Sequence, residues 1–261
     1  MQDKRALVTG AAKRLGRAMA LRLAGSGYDV VVHYATSKDE AESVVAEIQS
    51  LGQRAIALQA DLLDEDQTQA LMGRSQEALG GPVTVLVNNA SIFDYDNITT
   101  ATRESWDRHI GSNLRAPFVL TQGLAAAIPD PRRDANGEFV AQGLVVNMLD
   151  QRVKKLTPEF MTYTIAKMGL WAFTQTAAQA LAPKVRVNAI APGPTLIGAR
   201  QSPEHFAKQR AATILQRGSN PEDITAALGY LLEAPAVTGQ LLCVDGGQHR
   251  GWQTPDVIGK E

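Results

Sequence analysis

Short runs of apolar, mostly β-branched residues alternate along this chain with longer stretches whose apolar positions recur every three or four residues. Arg5 to Thr9 is the first run; it enters Gly10, and Leu15, Met19, Leu21 and Leu23 then follow at roughly helical spacing until Gly25 and Gly27. Val30-Val31-Val32 predicts a buried strand, Lys38 to Leu51 a charged amphipathic helix, Ala55 to Leu58 a third strand, and Asp64 to Leu79 a helix stopped by Gly80-Gly81. A fourth strand, Val83 to Val87, ends in Asn88-Asn89. Two helical stretches fill about Arg103 to Ile128, and Leu144 to Met148 is the fifth strand. Met161 to Leu181 reads as a long apolar helix, Val185 to Ala189 as a strand, about Glu204 to Gln216 as a helix, and Leu241 to Val244 as a last strand before Asp245-Gly246-Gly247. Strands that are apolar throughout are buried on both faces, so the pattern predicts one α/β domain, a parallel sheet with helices on both sides.

Two segments stand outside that alternation. Residues 129–143, rich in Pro, Arg, Asp and Gly, are expected to form a solvated loop. Residues 192–203 follow a strand at the carboxyl edge, where open α/β sheets place ligands, so about 193–217 is a candidate substrate lid.

Composition narrows the field by exclusion. The 261 residues, 44% of them apolar, suffice for one core and call for no second domain. A formal net charge of −1 without basic runs gives no reason to expect nucleic acid or a membrane surface as partner. Cys243, the single cysteine, cannot pair within the chain and reads as a small buried hydrophobe. With no charged-then-apolar leader and no apolar run approaching ~18 residues, the protein is expected to be cytoplasmic. No metal site is expected.

The candidate chemistry lies at the ends of strands. Val146 to Asp150 delivers Asp150 to a carboxyl edge, and Tyr163 and Lys167, four residues apart, share one face of the helix that follows. A carboxylate, a phenol and an ammonium would converge there, a cluster able to move protons. An ammonium beside the phenol would favour its ionised form and bring its pKa toward a useful range. An ionised Asp150 cannot donate a hydrogen bond and opposes a developing oxyanion, but it suits gripping the N–H groups of a heterocycle or sharing a proton with Tyr163.

Near the N-terminus, Thr9-Gly10-Ala11-Ala12-Lys13-Arg14-Leu15-Gly16 joins the first strand to its helix. Gly10 permits a tight turn and Gly16 a close helix start, so backbone amides can face a pyrophosphate, although Arg14 stands where a middle glycine is usual. The second strand ends in His33-Tyr34-Ala35-Thr36-Ser37, with no acid to grip ribose hydroxyls. His33, Ser37 and Arg14 could instead donate to a 2′-phosphate, which favours NADPH over NADH. His33 also reads as an exposed residue at a strand end. Asp61, followed by Leu62, would accept from an adenine amino group or cap the next helix.

Thr9-Gly10 with Gly16, Asn88-Asn89-Ala90, Asn113, Tyr163 to Lys167, Asn188 and Pro192-Gly193 occur in the order and spacing of the short-chain dehydrogenase/reductase family, which the chain resembles over nearly its whole length. The resemblance implies a single Rossmann-like doubly wound sheet of about seven strands, assembled into homotetramers or homodimers through long helices and the C-terminal strand. It implies that Tyr163 is the proton donor, that Lys167 holds the nicotinamide ribose and lowers the tyrosine pKa, and that Asn113 supports a water relay. Leu15, Asn89, Ala90, Ser91, Pro192 and Gly193 would line the cofactor with Gly10, Gly16, Tyr34, Asp61 and Leu62.

One position departs from the general pattern. Thirteen residues before the tyrosine the family normally has a serine that donates to a ketone oxygen; here stands Asp150. That residue, the arginine at Arg14, the His33-Tyr34 pair, Asn88 to Ser91 and the aromatic Phe93 are similar to the pteridine reductase and dihydromonapterin reductase branch. This narrower likeness implies NADPH-dependent reduction of a dihydropterin stacked between nicotinamide and Phe93, with Arg14, Ser91, Asp150 and Tyr163 around it. Phe93 also reads as a loop aromatic packed under a neighbouring element. Thr36 replaces a basic residue of that branch, and the tail 248–261, with Trp252 and Pro255, has no counterpart; it reads as an end or interface strap, or as a segment reaching a neighbour's pocket. A 3-oxoacyl-[acyl-carrier-protein]-type or broad carbonyl reductase and a non-catalytic NADP(H) sensor are the alternatives; intact Tyr163, Lys167 and Asn113 argue against the sensor.

Overall fold

In the computed structural model of the chain, residues 4–198 and 200–254 are described. The elements follow the order β1 (Arg5–Val8), α1 (Arg14–Gly25), β2 (Asp29–Tyr34), α2 (Lys38–Ser50), β3 (Ala55–Gln59), α3 (Glu65–Leu79) and β4 (Val85–Asn88). Then come α4 (Arg103–Ile110), a π-helical turn (Gly111–Arg115), α5 (Ala116–Ala127), a hairpin of β5 (Arg132–Arg133) and β6 (Phe139–Val140), and β7 (Gly143–Met148). A 3₁₀ turn (Gln151–Val153), α6 (Met161–Leu181), β8 (Val185–Pro192), α7 (Pro203–Ala211), α8 (Pro221–Glu233) and β9 (Leu241–Val244) complete it.

Seven parallel strands form one sheet in the order β3-β2-β1-β4-β7-β8-β9. Alternate side chains feed two cores. Ala6, Val8, Val30, Val32, Val85 and Val87 meet Met19 and Leu23 of α1, Val44 and Ile48 of α2, and Ile224 and Leu228 of α8. Leu7, Val31, Leu86 and Val145 turn the other way, onto Leu71 of α3, Leu120 and Leu124 of α5, and Ala177 of α6. The middle residues of the central strands are therefore apolar in succession because both of their faces are covered.

Two local expectations change, and one helix is added. The loop at 129–143 carries the β5-β6 hairpin, closed by Asp134, whose Oδ1 accepts from Asn136 and Glu138 amides. The helix expected to reach Gln216 stops at Ala211, because the next residues turn under the last strand and the Leu215 amide bonds Gly246 O at 2.9 Å. Helix α8, unassigned in the sequence reading, begins with Pro221 after Asn220, whose side chain and that of Asp223 form a capping box. Among the described residues no helix is long and apolar enough to cross a membrane.

Candidate active site

Strand order reverses between β1 and β4, and the carboxyl edge there opens a crevice of the kind that holds ligands in doubly wound sheets. Thr9 Oγ1 accepts the amides of Asn89 (2.9 Å) and Ala90 (3.0 Å), while Asn89 Nδ2 donates to the carbonyls of Thr9 (2.9 Å) and Gly10 (3.1 Å). The two strand ends thus share one hydrogen-bonded floor. A Cβ at Gly16 would stand 2.1 Å from Gly10 O, so α1 starts closer to the loop than any side chain allows. Lys13 gives α1 no side-chain cap and the first turn holds no acid, whereas Asp64, Thr102 and Ser202 cap α3, α4 and α7. The free amides and positive end of α1 make a cradle that suits a pyrophosphate.

Arg14 sits in the left-handed region, φ 53°. The backbone conformation that a glycine usually supplies is kept, and only the side chain differs. Its guanidinium donates to the carbonyls of Ile197 (2.8 Å) and Leu196 (3.1 Å), which fastens it to the lid.

His33 corrects an expectation. It is 1% exposed, beneath the loop: Nδ1 accepts the Gly10 amide at 3.0 Å, so Nε2 carries the proton and donates to Ala60 O at 3.1 Å. With both nitrogens spent, the ring has no hydrogen to offer a phosphate. Burial pushes its pKa down from 6.5 to about 4. The unfolded chain therefore takes up a proton near 6.5 and the folded chain only near 4, so stability falls as pH drops through that window and levels off below it. Urea midpoints at about pH 7 and about pH 4 should show a larger acid loss in the wild type than in His33→Gln; equal losses would contradict the assignment.

Half-buried Tyr34 and Ser37, whose hydroxyl makes no cap bond, remain at the end of β2. Lys13, passed over in the sequence reading, reaches Glu40 at the start of α2 (2.7 Å) and brings a cation to that edge. Asp61 does not cap α3. That part belongs to Asp64, whose Oδ1 accepts from the Gln67 amide at 3.0 Å, while exposed Asp61 accepts from Leu63 and Leu62 is buried beside it.

The proton-transfer cluster forms where β7 ends. Asp150 caps the 3₁₀ turn, with Oδ1 accepting the Arg152 amide at 2.8 Å, and its Oδ2 accepts the Tyr163 hydroxyl at 3.1 Å. Buried Lys167 donates to Met148 O at 2.8 Å, and its Nζ lies 5.6 Å from the Tyr163 ring centre. Loss of solvent, then the charge and hydrogen bond of Asp150, raise the phenol pKa well above its ordinary value, while Arg152 and the Ser91 hydroxyl pull the other way. In the protein alone the anion, not the ammonium, is the phenol's hydrogen-bond partner, and burial with Asp150 holds the phenol protonated. Desolvation lowers Lys167 itself to about 8.

Asn113 is fully buried in the π-helical turn, and its amide brackets Ile92: Oδ1 accepts from Ile92 N and Nδ2 donates to Ile92 O, both at 2.8 Å. It thereby fixes Ser91 and Phe93 on either side. Phe93 is 41% exposed; one face stacks on Phe160 (4.3 Å, 11°) and it meets Tyr163 edge-on (4.6 Å, 67°). Phe160, Arg152 and Arg200 were absent from the sequence reading, yet both guanidiniums lie over the Phe160 ring, and Arg200 also donates to Phe93 O. The position of Phe160, immediately before the tyrosine helix, was the only available signal. Pro192 closes β8, and a Cβ on Gly193 would stand 2.6 Å from Asp245 Cβ, so the lid leaves the sheet clamped against the end of β9. Of the expected strap, residues 248–254 are described, with a 3₁₀ turn at Gln248–Arg250 and Trp252 exposed, whereas 255–261, like Ala199 of the lid, lie outside the described residues.

A proton-transfer cluster beside an open helix start, on the carboxyl edge of a doubly wound sheet, defines the class: a nicotinamide-nucleotide-dependent oxidoreductase. The chain belongs to the short-chain dehydrogenase family, whose model matches residues 4–207. It is 34% identical over 251 residues to the 3-oxoacyl-[acyl-carrier-protein] reductase FabG of Staphylococcus aureus, covering 94% of this chain and 98% of that protein. Its structure is similar to that of FolM alternative dihydrofolate reductase 1 from Brucella suis in complex with NADP, with TM-score 0.90 and 41% identity over 98% of this chain and 99% of the other. A short chain dehydrogenase from Burkholderia cenocepacia in complex with NADP gives TM-score 0.84 and 32% identity over 95% and 98% of the two chains.

Proposed function

We propose that the protein is an NADPH-dependent reductase of dihydropterins, producing the tetrahydro form. The observation that carries this reading is the Asp150 carboxylate accepting the Tyr163 hydroxyl at 3.1 Å, at the place where ketone reduction needs a neutral donor. Similar structures holding NADP, and the name of one as an alternative dihydrofolate reductase, support it.

The cradle of Gly10, Gly16 and the α1 amides would hold the pyrophosphate, with Tyr34, Ser37 and Lys13 at the 2′-phosphate end, Asp61 and Leu62 by the adenine, and Asn89, Ala90, Ser91, Pro192 and Gly193 along the rest. Bound NADPH supplies the hydride. Phe93 presents a ring on which a flat heterocycle stacks. Tyr163 Oη delivers a proton to the C=N nitrogen; Asp150 grips the heterocycle's N–H groups and keeps the phenol protonated until transfer, and the Lys167 ammonium favours the phenolate left behind. Exposed Phe118 on α5 and Ile165 and Met168 on α6 support assembly through the long helices into a homotetramer or homodimer.

The relatives named as 3-oxoacyl reductases favour a second reading, keto reduction, against which Asp150 stands. One assay separates them: oxidation of NADPH, with NADH in parallel, on dihydrobiopterin, dihydromonapterin, dihydrofolate and simple keto esters. Turnover of a dihydropterin at micromolar concentration with NADPH preferred is expected; brisk keto-ester reduction without pterin turnover overturns the proposal.

A further inference from the structure

We infer that His109 is a positioning residue that sets the separation between the stacking ring Phe93 and the proton donor Tyr163. The imidazole is fully buried, and it bridges the two walls of the site. Nε2 accepts the amide of Asp94, the residue directly after Phe93, at 3.1 Å. Since Nε2 accepts, Nδ1 carries the proton and donates to Thr162 Oγ1, directly before Tyr163, at 2.7 Å. The ring also meets the Tyr163 ring edge-on, with centres 5.9 Å apart.

The bridge is anchored from behind. The Thr162 hydroxyl, having accepted from His109, donates to Asp96 Oδ2, and the Thr162 amide donates to Asp96 Oδ1 at 3.1 Å. Ser105 of α4 adds a further donor to Asp96 Oδ2 at 2.9 Å. The bonds of His109 and Thr162 each run one way, so the loop bearing Phe93, the helix bearing Tyr163 and the helix bearing His109 are held in a single register. None of these groups touches Asp150 or Lys167 through a hydrogen bond, so the network acts on the spacing of the cluster and not on its protonation. Phe93 and Tyr163 touch edge-on at 4.6 Å, so a shift of either ring changes how a flat substrate lying on Phe93 meets the Tyr163 hydroxyl.

The inference rests on the pterin reading, and its test separates the two. His109→Phe keeps the ring and its edge contact but removes both nitrogens; His109→Gln restores an acceptor and a donor. Kinetics are normalised to the folded fraction, counted as NADPH-binding sites. His109→Phe should raise KM for the dihydropterin roughly tenfold with a smaller change in kcat, and His109→Gln should recover most of it. Should the wild type turn over no dihydropterin, the substrate reading fails by itself. The same variants are then compared on the best keto ester, where only the displaced Tyr163 matters and kcat falls in His109→Phe but not in His109→Gln. Unchanged constants in His109→Phe on the substrate that is turned over, or equal losses in the two variants, overturn the inference.

Discussion

Tyr163→Phe is expected to lower kcat for dihydropterin reduction by roughly 10²- to 10⁴-fold, the usual contribution of a positioned general acid, while NADPH still binds. The change removes a single oxygen from a buried ring whose packing against Phe93 and His109 stays in place. What disappears is the proton that Asp150 and burial keep on the phenol. Asp150 Oδ2 then loses the hydroxyl that donates to it, and protonation of a C=N nitrogen falls to solvent. Stopped-flow measurement of NADPH oxidation in a single turnover reads the chemical step directly. A rate within tenfold of the wild type would remove Tyr163 from the proton path.

The second large effect concerns choice of substrate. Asp150→Ser is expected to cut dihydropterin turnover by about 10²-fold or more and to raise keto-ester turnover, because a hydroxyl donates to a ketone oxygen where a carboxylate repels it. With the anion gone, the phenol pKa falls toward its ordinary value, since the charge and hydrogen bond of Asp150 are both raising it after desolvation. The ratio of kcat/KM for the two substrate classes is the quantity to measure. If it moves no further in Asp150→Ser than in a surface variant such as Glu77→Gln, the carboxylate does not choose the substrate.

Much of this architecture is legible before any coordinates. Strands buried on both faces announce themselves as unbroken apolar runs, and the seven-stranded sheet follows from them. Asp150, Tyr163 and Lys167 are legible because two lie one helical turn apart and the third ends a strand pointing at them. The fate of His33 is not, because a side chain at a strand end faces solvent or the sheet interior according to how the neighbouring loop folds over it. Here the Gly10 turn covers it. Helix α8 is marked in the sequence by Asn220-Pro221, whereas the hairpin at 132–140 has strands of two residues and offers almost no signal. The bonds of Asp96 and His109 to Thr162 join residues 66 and 53 positions apart, and no periodicity foreshadows contacts of that kind.

Arg14 places a long side chain where the backbone favours glycine, at a conformational cost of about 1–2 kcal/mol. Its two bonds to the carbonyls of Leu196 and Ile197 lie in the opposite scale. The residue that local preference would select would make the turn easier to form and leave the segment over the site unfastened. Arg14→Gly therefore trades relief of backbone strain for the loss of two bonds from a charged donor, and it opens the clasp on residues 196 and 197 without a gain in stability to match.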